Sequence, residues 1–153
     1  MKHSNIFIII FACFLAACSA ITGEEIARIN IDQISTEENL DWKSIELDLN
    51  AGDKIHLWSE MDMKYEGDLA LRYQLQVIKD ADTLGYLEFD PMDKNITIGE
   101  IKTSFGNQTN WKFSGRSDIW NVKDSGHYNL RAILVSNGNE SLELKKSDIV
   151  LKK

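Results

Sequence analysis

From Ile29 onward apolar residues recur at every second position, and helical spacing never persists for three turns. A period of two sends successive side chains to opposite faces of a strand, so this pattern commits the chain to half-buried β-structure. The clearest instance runs from Leu69 to Val77. Leu69, Leu71, Tyr73, Leu75 and Val77 share one face, and Ala70, Arg72, Gln74 and Gln76 share the other. Ile45, Leu47 and Leu49 alternate with Glu46 and Asp48, and the turn-forming Asn50-Ala51-Gly52-Asp53 leads on to Lys54–Ser59, which reads as a hairpin.

Further strand material lies around Ile29 and Ile31, Tyr86–Phe89, Ile96 and Ile98, Trp111 and Phe113, Ile119–Val122, His127–Val135, Leu142 and Leu144, and Ile149 and Leu151. Polar or glycine-bearing stretches separate these runs: Thr36–Asn39, Lys79–Thr83, a loop from Ser104 to Asn110, Gly115–Asp118, Asp124–Gly126 and Asn137–Asn139. Pro91, the only proline, follows Asp90 and cannot donate to a ladder, so it marks a strand boundary. About nine short strands with such turns predict an all-β fold, an antiparallel β-sandwich of jelly-roll type, with a small β-barrel as the alternative. The order of an apolar hairpin, a long strand and a late Gly126-His127-Tyr128 entering an apolar strand resembles small jelly-roll domains such as the GOLD type. That resemblance implies a topology and no functional residues.

The amino-terminal segment is of a different kind. Met1-Lys2-His3 is a short basic leader, and Ile6–Leu15 is almost unbroken apolar sequence. This is the layout of a secretory signal peptide, with an apolar core about half as long as the ~20 residues of a spanning helix. Leu15-Ala16-Ala17-Cys18 resembles the lipobox of bacterial lipoproteins. The resemblance implies cleavage between Ala17 and Cys18, a diacylglyceryl thioether on the Cys18 sulfur and acylation of the new amino terminus. Two or more acyl chains, at about 0.8 kcal/mol per buried CH₂, would hold the protein stably at a membrane. Ser19, in place of the aspartate that retains such proteins at the inner membrane of Gram-negative cells, favours the outer membrane; whether the domain faces the periplasm or the surface stays open. The expected organisation is a signal peptide over 1–17, a lipidated cysteine with a flexible tether over 18–25, and one sandwich domain over 26–153. With Cys13 removed and Cys18 lipidated, no cysteine remains for a disulfide, and the core must supply the stability.

Composition narrows the partners. Loss of Lys2 with the leader leaves 16 Lys and Arg against 24 Asp and Glu, a formal charge of −8. Nucleic acid is a poor partner for that balance. The same acidity keeps the body of the domain off anionic lipid, so the membrane is engaged through the Cys18 lipid alone.

No motif specifies a reaction. His56 and His127 are the only histidines after the leader, and neither H-E-x-x-H nor Gly-x-Ser-x-Gly occurs, so no metal, cofactor or catalytic set is implied. Asp62, Glu66 and Asp68 crowd one expected loop, and Asp90 and Asp93 another, but neither has calcium-loop spacing. Asp82-Thr83-Leu84 resembles the Asp, Ser/Thr, apolar sequon of bacterial O-glycosylation, which implies Thr83 as an acceptor. Of the four tryptophans, Trp58 alternates with Ile55 and Leu57 and is expected at the surface beside His56, while Trp111 is expected in the core with Phe113. His56 and Trp58, with Arg72 and Gln74 on the polar face of a neighbouring strand, form the expected ligand surface. Stacking aromatics and amides suit a glycan or an envelope protein. The expectation is therefore a noncatalytic binding lipoprotein, with a structural or assembly protein acting through an edge strand as the alternative and an enzyme with an unrecognised site as the third reading.

Overall fold

The computed structural model describes residues 22–153. Ala17, Cys18 and the leader lie outside the described residues. Nine strands follow one another: β1 (Glu25–Asn30), β2 (Lys43–Leu49), β3 (Lys54–Glu66), β4 (Leu71–Lys79), β5 (Asp82–Phe89), β6 (Ile96–Phe105), β7 (Gln108–Asn121), β8 (Gly126–Ser136) and β9 (Glu143–Lys152). They form two antiparallel sheets, one ordered β1-β9-β3-β7-β6 and the other β2-β8-β4-β5, with no closure into a barrel. The pairs β1–β9, β2–β8, β3–β7 and β4–β5 are those of a jelly roll, with β6 added outside β7 as a supernumerary edge strand.

Alternation fills the space between the sheets. Ile55, Leu57, Met61 and Met63 of β3, Tyr73 and Leu75 of β4, Leu130 and Leu134 of β8, and Ile149 and Leu151 of β9 are all at most 1% exposed. At about 1.5–3 kcal/mol for each large side chain buried, this layer is the main source of stability. One polar contact is sealed inside it: the Tyr73 hydroxyl lies 2.7 Å from Ser147 Oγ and 3.1 Å from Met61 Sδ. Burial pushes the Tyr73 phenol well above its ordinary range, so it stays neutral.

Several local expectations are corrected. The Asn50–Asp53 turn does not close a hairpin, because β2 pairs with β8 while β3 pairs with β7 and β9; the turn carries the chain from one sheet to the other. The loop expected from Ser104 to Asn110 is the tip of the β6–β7 hairpin, closed through Gly106 at φ 59° with Phe105 opposite Gln108. Gly115–Asp118 is not a turn. β7 runs straight through it with a bulge, where Leu57 faces Asp118 and Trp58 faces Arg116. The tether expected up to residue 25 ends sooner, since Glu24 and Lys153 exchange two backbone hydrogen bonds of 2.9 Å and Glu25 begins β1.

Candidate functional site

The expected ligand surface does not assemble. His56 and Trp58 stand on β3 in the five-stranded sheet, and Arg72 and Gln74 on β4 in the four-stranded one. All four alternate with core residues, so each pair faces away from the core, on opposite sides of the sandwich. Arg72 donates to Glu88 at 3.0 Å across β4–β5.

Trp58 is also not exposed. Although it faces outward, it is 1% exposed, at the centre of a cross-strand row formed by Arg28, Val150, Trp58, Arg116 and Ile96. Lys152 Nζ sits 4.5 Å from the ring centroid, and no acceptor among the described residues reaches the indole N–H. A central strand has neighbours on both sides, and their long side chains fold over the ring. His56, next to it, accepts from Arg116 at 3.1 Å; burial, then the Arg116 and Lys54 charges, hold it below its ordinary pKa and neutral.

Beside Trp58 the outer face is tied by charge. Arg28 donates to Glu60 at 2.7 Å and to Asp148 at 2.6 Å, Asn30 donates to Asp148 at 2.7 Å, and Lys146 bonds Glu60. Burial works to raise the Glu60 carboxyl, but the hydrogen bonds from Arg28 and Lys146 override it and hold the pKa at about 2. Arg28 is raised by the same contacts, that with Glu25 foremost. Every charged member of this network has a partner of opposite charge, which makes it a clasp between β1, β9 and β3 rather than a reactive site.

The remaining expected positions are dispersed. Asp62 and Glu66 lie on β3 rather than in a loop, Asp62 in register with Lys112 and Lys146. Asp90 accepts from the Met92 amide at 2.7 Å, in the turn where Asp93 N donates to the Asp90 carbonyl. Among the described residues no three His, Cys, Asp or Glu side chains converge to hold a metal. His127 does meet carboxylates, Asp48 at 2.9 Å and Glu46 at 3.5 Å, but on an open sheet face with its side chain 57% exposed. Its pKa is raised, chiefly by Asp48. Thr83 is exposed at the start of β5 and accepts from Gln76 Nε2 at 3.1 Å.

The structure offers a different concavity. A cleft of about 420 Å³ opens where β5 lies over β7, lined by Val77, Leu84, Leu87, Trp120, Lys123 and Tyr128 among others. Trp120 and Tyr128 meet edge to face with centroids 5.5 Å apart, and Tyr128 is fixed by donating its hydroxyl to the Asp124 carbonyl at 2.6 Å. The space exists because the inward position opposite Val77 is Gly85, with nothing within 4 Å of where a Cβ would stand. Leu84, 56% exposed, forms part of the rim. A glycine inside a strand is the signal that could have pointed here, since it marks a place where something approaches the backbone. A largely apolar cleft of this size with an aromatic floor, lined also by the oppositely charged Lys123 and Asp124, can accept a flat, mostly apolar group. No protein-family model matches the chain, and no curated protein matches it either.

Proposed function

We propose that this chain is a bacterial envelope lipoprotein, held at a membrane through lipid on Cys18, whose noncatalytic sandwich binds a glycan or protein partner in the cleft between β5 and β7. The lipobox Leu15-Ala16-Ala17-Cys18 supports the anchor. The observation that carries the binding role is the cleft floored by Trp120 and Tyr128 and kept open by Gly85. A sugar ring or an aromatic side chain has the flat apolar face that such a floor stacks against.

Position agrees with this reading. The strand ends bearing Glu25, Lys54, Asn121 and Lys152 are in register at one end of the sandwich, and the cleft includes Asn121 and Lys123 at that end. From Cys18 to Gly23 the chain reaches at most about 18 Å. The cleft would therefore work close to the membrane.

Two experiments test the two halves separately. Metabolic labelling with a palmitate analogue should mark the wild type and not Cys18→Ala, and unchanged labelling of the mutant removes the anchor. A benzophenone amino acid placed at Lys123 in intact cells should form an adduct that Gly85→Leu abolishes by filling the cleft. An adduct indifferent to Gly85→Leu, or none at all, rejects the cleft as the binding site.

A further inference from the structure

β6 is the strand that the jelly roll does not need, and it is built unlike the others. No strand of the four-stranded sheet lies beyond β5 to cover it, and Thr97–Phe105 is exposed throughout. Its outward row is mostly apolar, broken by Thr103, with Ile98 44%, Ile101 67% and Phe105 91% exposed. Its other face carries Glu100 and Lys102, both already held in place by Trp111. The indole N–H donates to Glu100 Oε1 at 2.7 Å, and Lys102 Nζ sits 3.8 Å over the ring.

The free backbone groups of this edge follow from the register. Gly67 N donates to the Asn107 carbonyl at 3.1 Å, which turns the odd-numbered residues at this end of β7 toward β3 and the even-numbered ones toward β6. Phe105, Thr103 and Ile101, opposite Gln108, Asn110 and Lys112, therefore spend their amides and carbonyls on β7. Glu100, Lys102 and Ser104 are left to present theirs at the open edge.

We propose that β6 is a self-pairing edge, joining antiparallel to the β6 of a second copy about a two-fold axis through Ile101. In that register Glu100 lies opposite Lys102 of the second copy and Lys102 opposite its Glu100, and these are the residues whose backbone groups are free to bond. Ile101 meets Ile101 of the second copy. Each exposed Phe105 is carried toward the other copy's Ile96 and Ile98. Moving the axis to Glu100 or to Lys102 sets like charges face to face, so the edge chooses one register by repulsion as well as attraction. Gly99, at φ 69° in the bulge opposite β7, keeps the matched run short. The product is a continuous ten-stranded sheet with the two amino-terminal ends pointing in opposite directions, so two lipid-anchored copies would pair from facing membrane surfaces and not side by side on one. This surface shares no residue with the cleft, so either proposal can fail without the other.

Ile101 at a two-fold axis is a non-hydrogen-bonded pair with Cα atoms about 4.5 Å apart, inside the span of a disulfide. Full-length Ile101→Cys should cross-link to a species of twice the chain mass under mild oxidation. Thr103→Cys, displaced from the axis by two residues, should not. Glu100→Lys should weaken self-association about tenfold by placing two like-charge pairs at the interface, and Glu100→Lys with Lys102→Glu should restore it. Equal cross-linking at both positions, no cross-link at Ile101, or an adduct of another mass overturns the proposal, and so does a charge exchange that fails to rescue.

Discussion

β3 and β6 lie in the same sheet with only β7 between them, and both alternate apolar with polar residues, yet they meet opposite fates. On β3 the inward residues from Ile55 to Tyr65 are buried, and even the outward Trp58 is sealed; on β6 no residue is buried. Alternation says which side chains share a face. Whether that face is covered depends on the opposite layer, and that layer ends at β5. β6 turns its apolar side outward and its polar side inward, the reverse of a core strand, because over its inner face there is no core.

The difference should be largest for the two most contrasting aromatics. Trp58→Ala removes a side chain that is 1% exposed and should cost about 3–5 kcal/mol, whereas Phe105→Ala, at 91% exposed, should stay within about 0.5 kcal/mol. Urea unfolding of the two variants measures both. Similar losses would mean that exposure does not separate the strands.

The ionic clasp on the outer face of β3 gives the next effect. Glu60 has a folded pKa of about 2 against an ordinary value of 4.5. A depressed carboxylate contributes stability that is full above its unfolded pKa and lost as pH falls through the folded one. With its side chain 21% exposed, about 1–2 kcal/mol should disappear between pH 4.5 and 2, and Glu60→Gln should flatten that part of the stability profile. A Glu60→Gln variant that keeps the wild-type acid slope would assign the loss to other groups.

Much of the fold was legible because alternation and turn residues are local. The long strand ending at Val77, the run entering at His127 and the boundary at Pro91 all follow from chemistry within a few residues. What failed depended on distance. Asn50–Asp53 has the same turn chemistry whether it closes a hairpin or crosses between sheets, and only the partners of β2 and β3 decide. Ser104–Asn110 read as a loop because polar residues on an uncovered strand resemble one. Trp58 was expected outside because it faces outward, but its neighbours in the row come from β9 and β7, about ninety and sixty residues later. The cleft is not legible because Gly85 falls between the expected turn, Lys79–Thr83, and the expected strand, Tyr86–Phe89, and only the pairing of β5 with β4 makes it an inward strand position.

The inner face of β3 offers a finer test. Tyr73→Phe leaves ring packing intact and removes only the hydroxyl beside Ser147 Oγ and Met61 Sδ. Ser147 is 1% exposed, so its hydroxyl would lose this partner without gaining solvent, at about 1 kcal/mol. Tyr73→Phe combined with Ser147→Ala should recover part of that loss, because a buried pair replaced on both sides leaves nothing unsatisfied. If the double variant is as unstable as the sum of the singles, the two hydroxyls do not act as a pair.

The smallest effect belongs to β6, and its smallness is what distinguishes the two strands. Ile101→Thr keeps a β-branched side chain on an exposed edge and exchanges a methylene-rich surface for a hydroxyl already in water. Monomer stability, measured at concentrations too low for association, should change by less than about 0.5 kcal/mol. A loss above 1 kcal/mol would mean that β6 packs on something within its own chain, and the reason for regarding its apolar row as a surface would be gone. Stability unchanged in dilute solution but reduced relative to wild type as protein concentration rises would separate the strand's two roles: little in the fold of one copy, and a measurable part in the pairing of two.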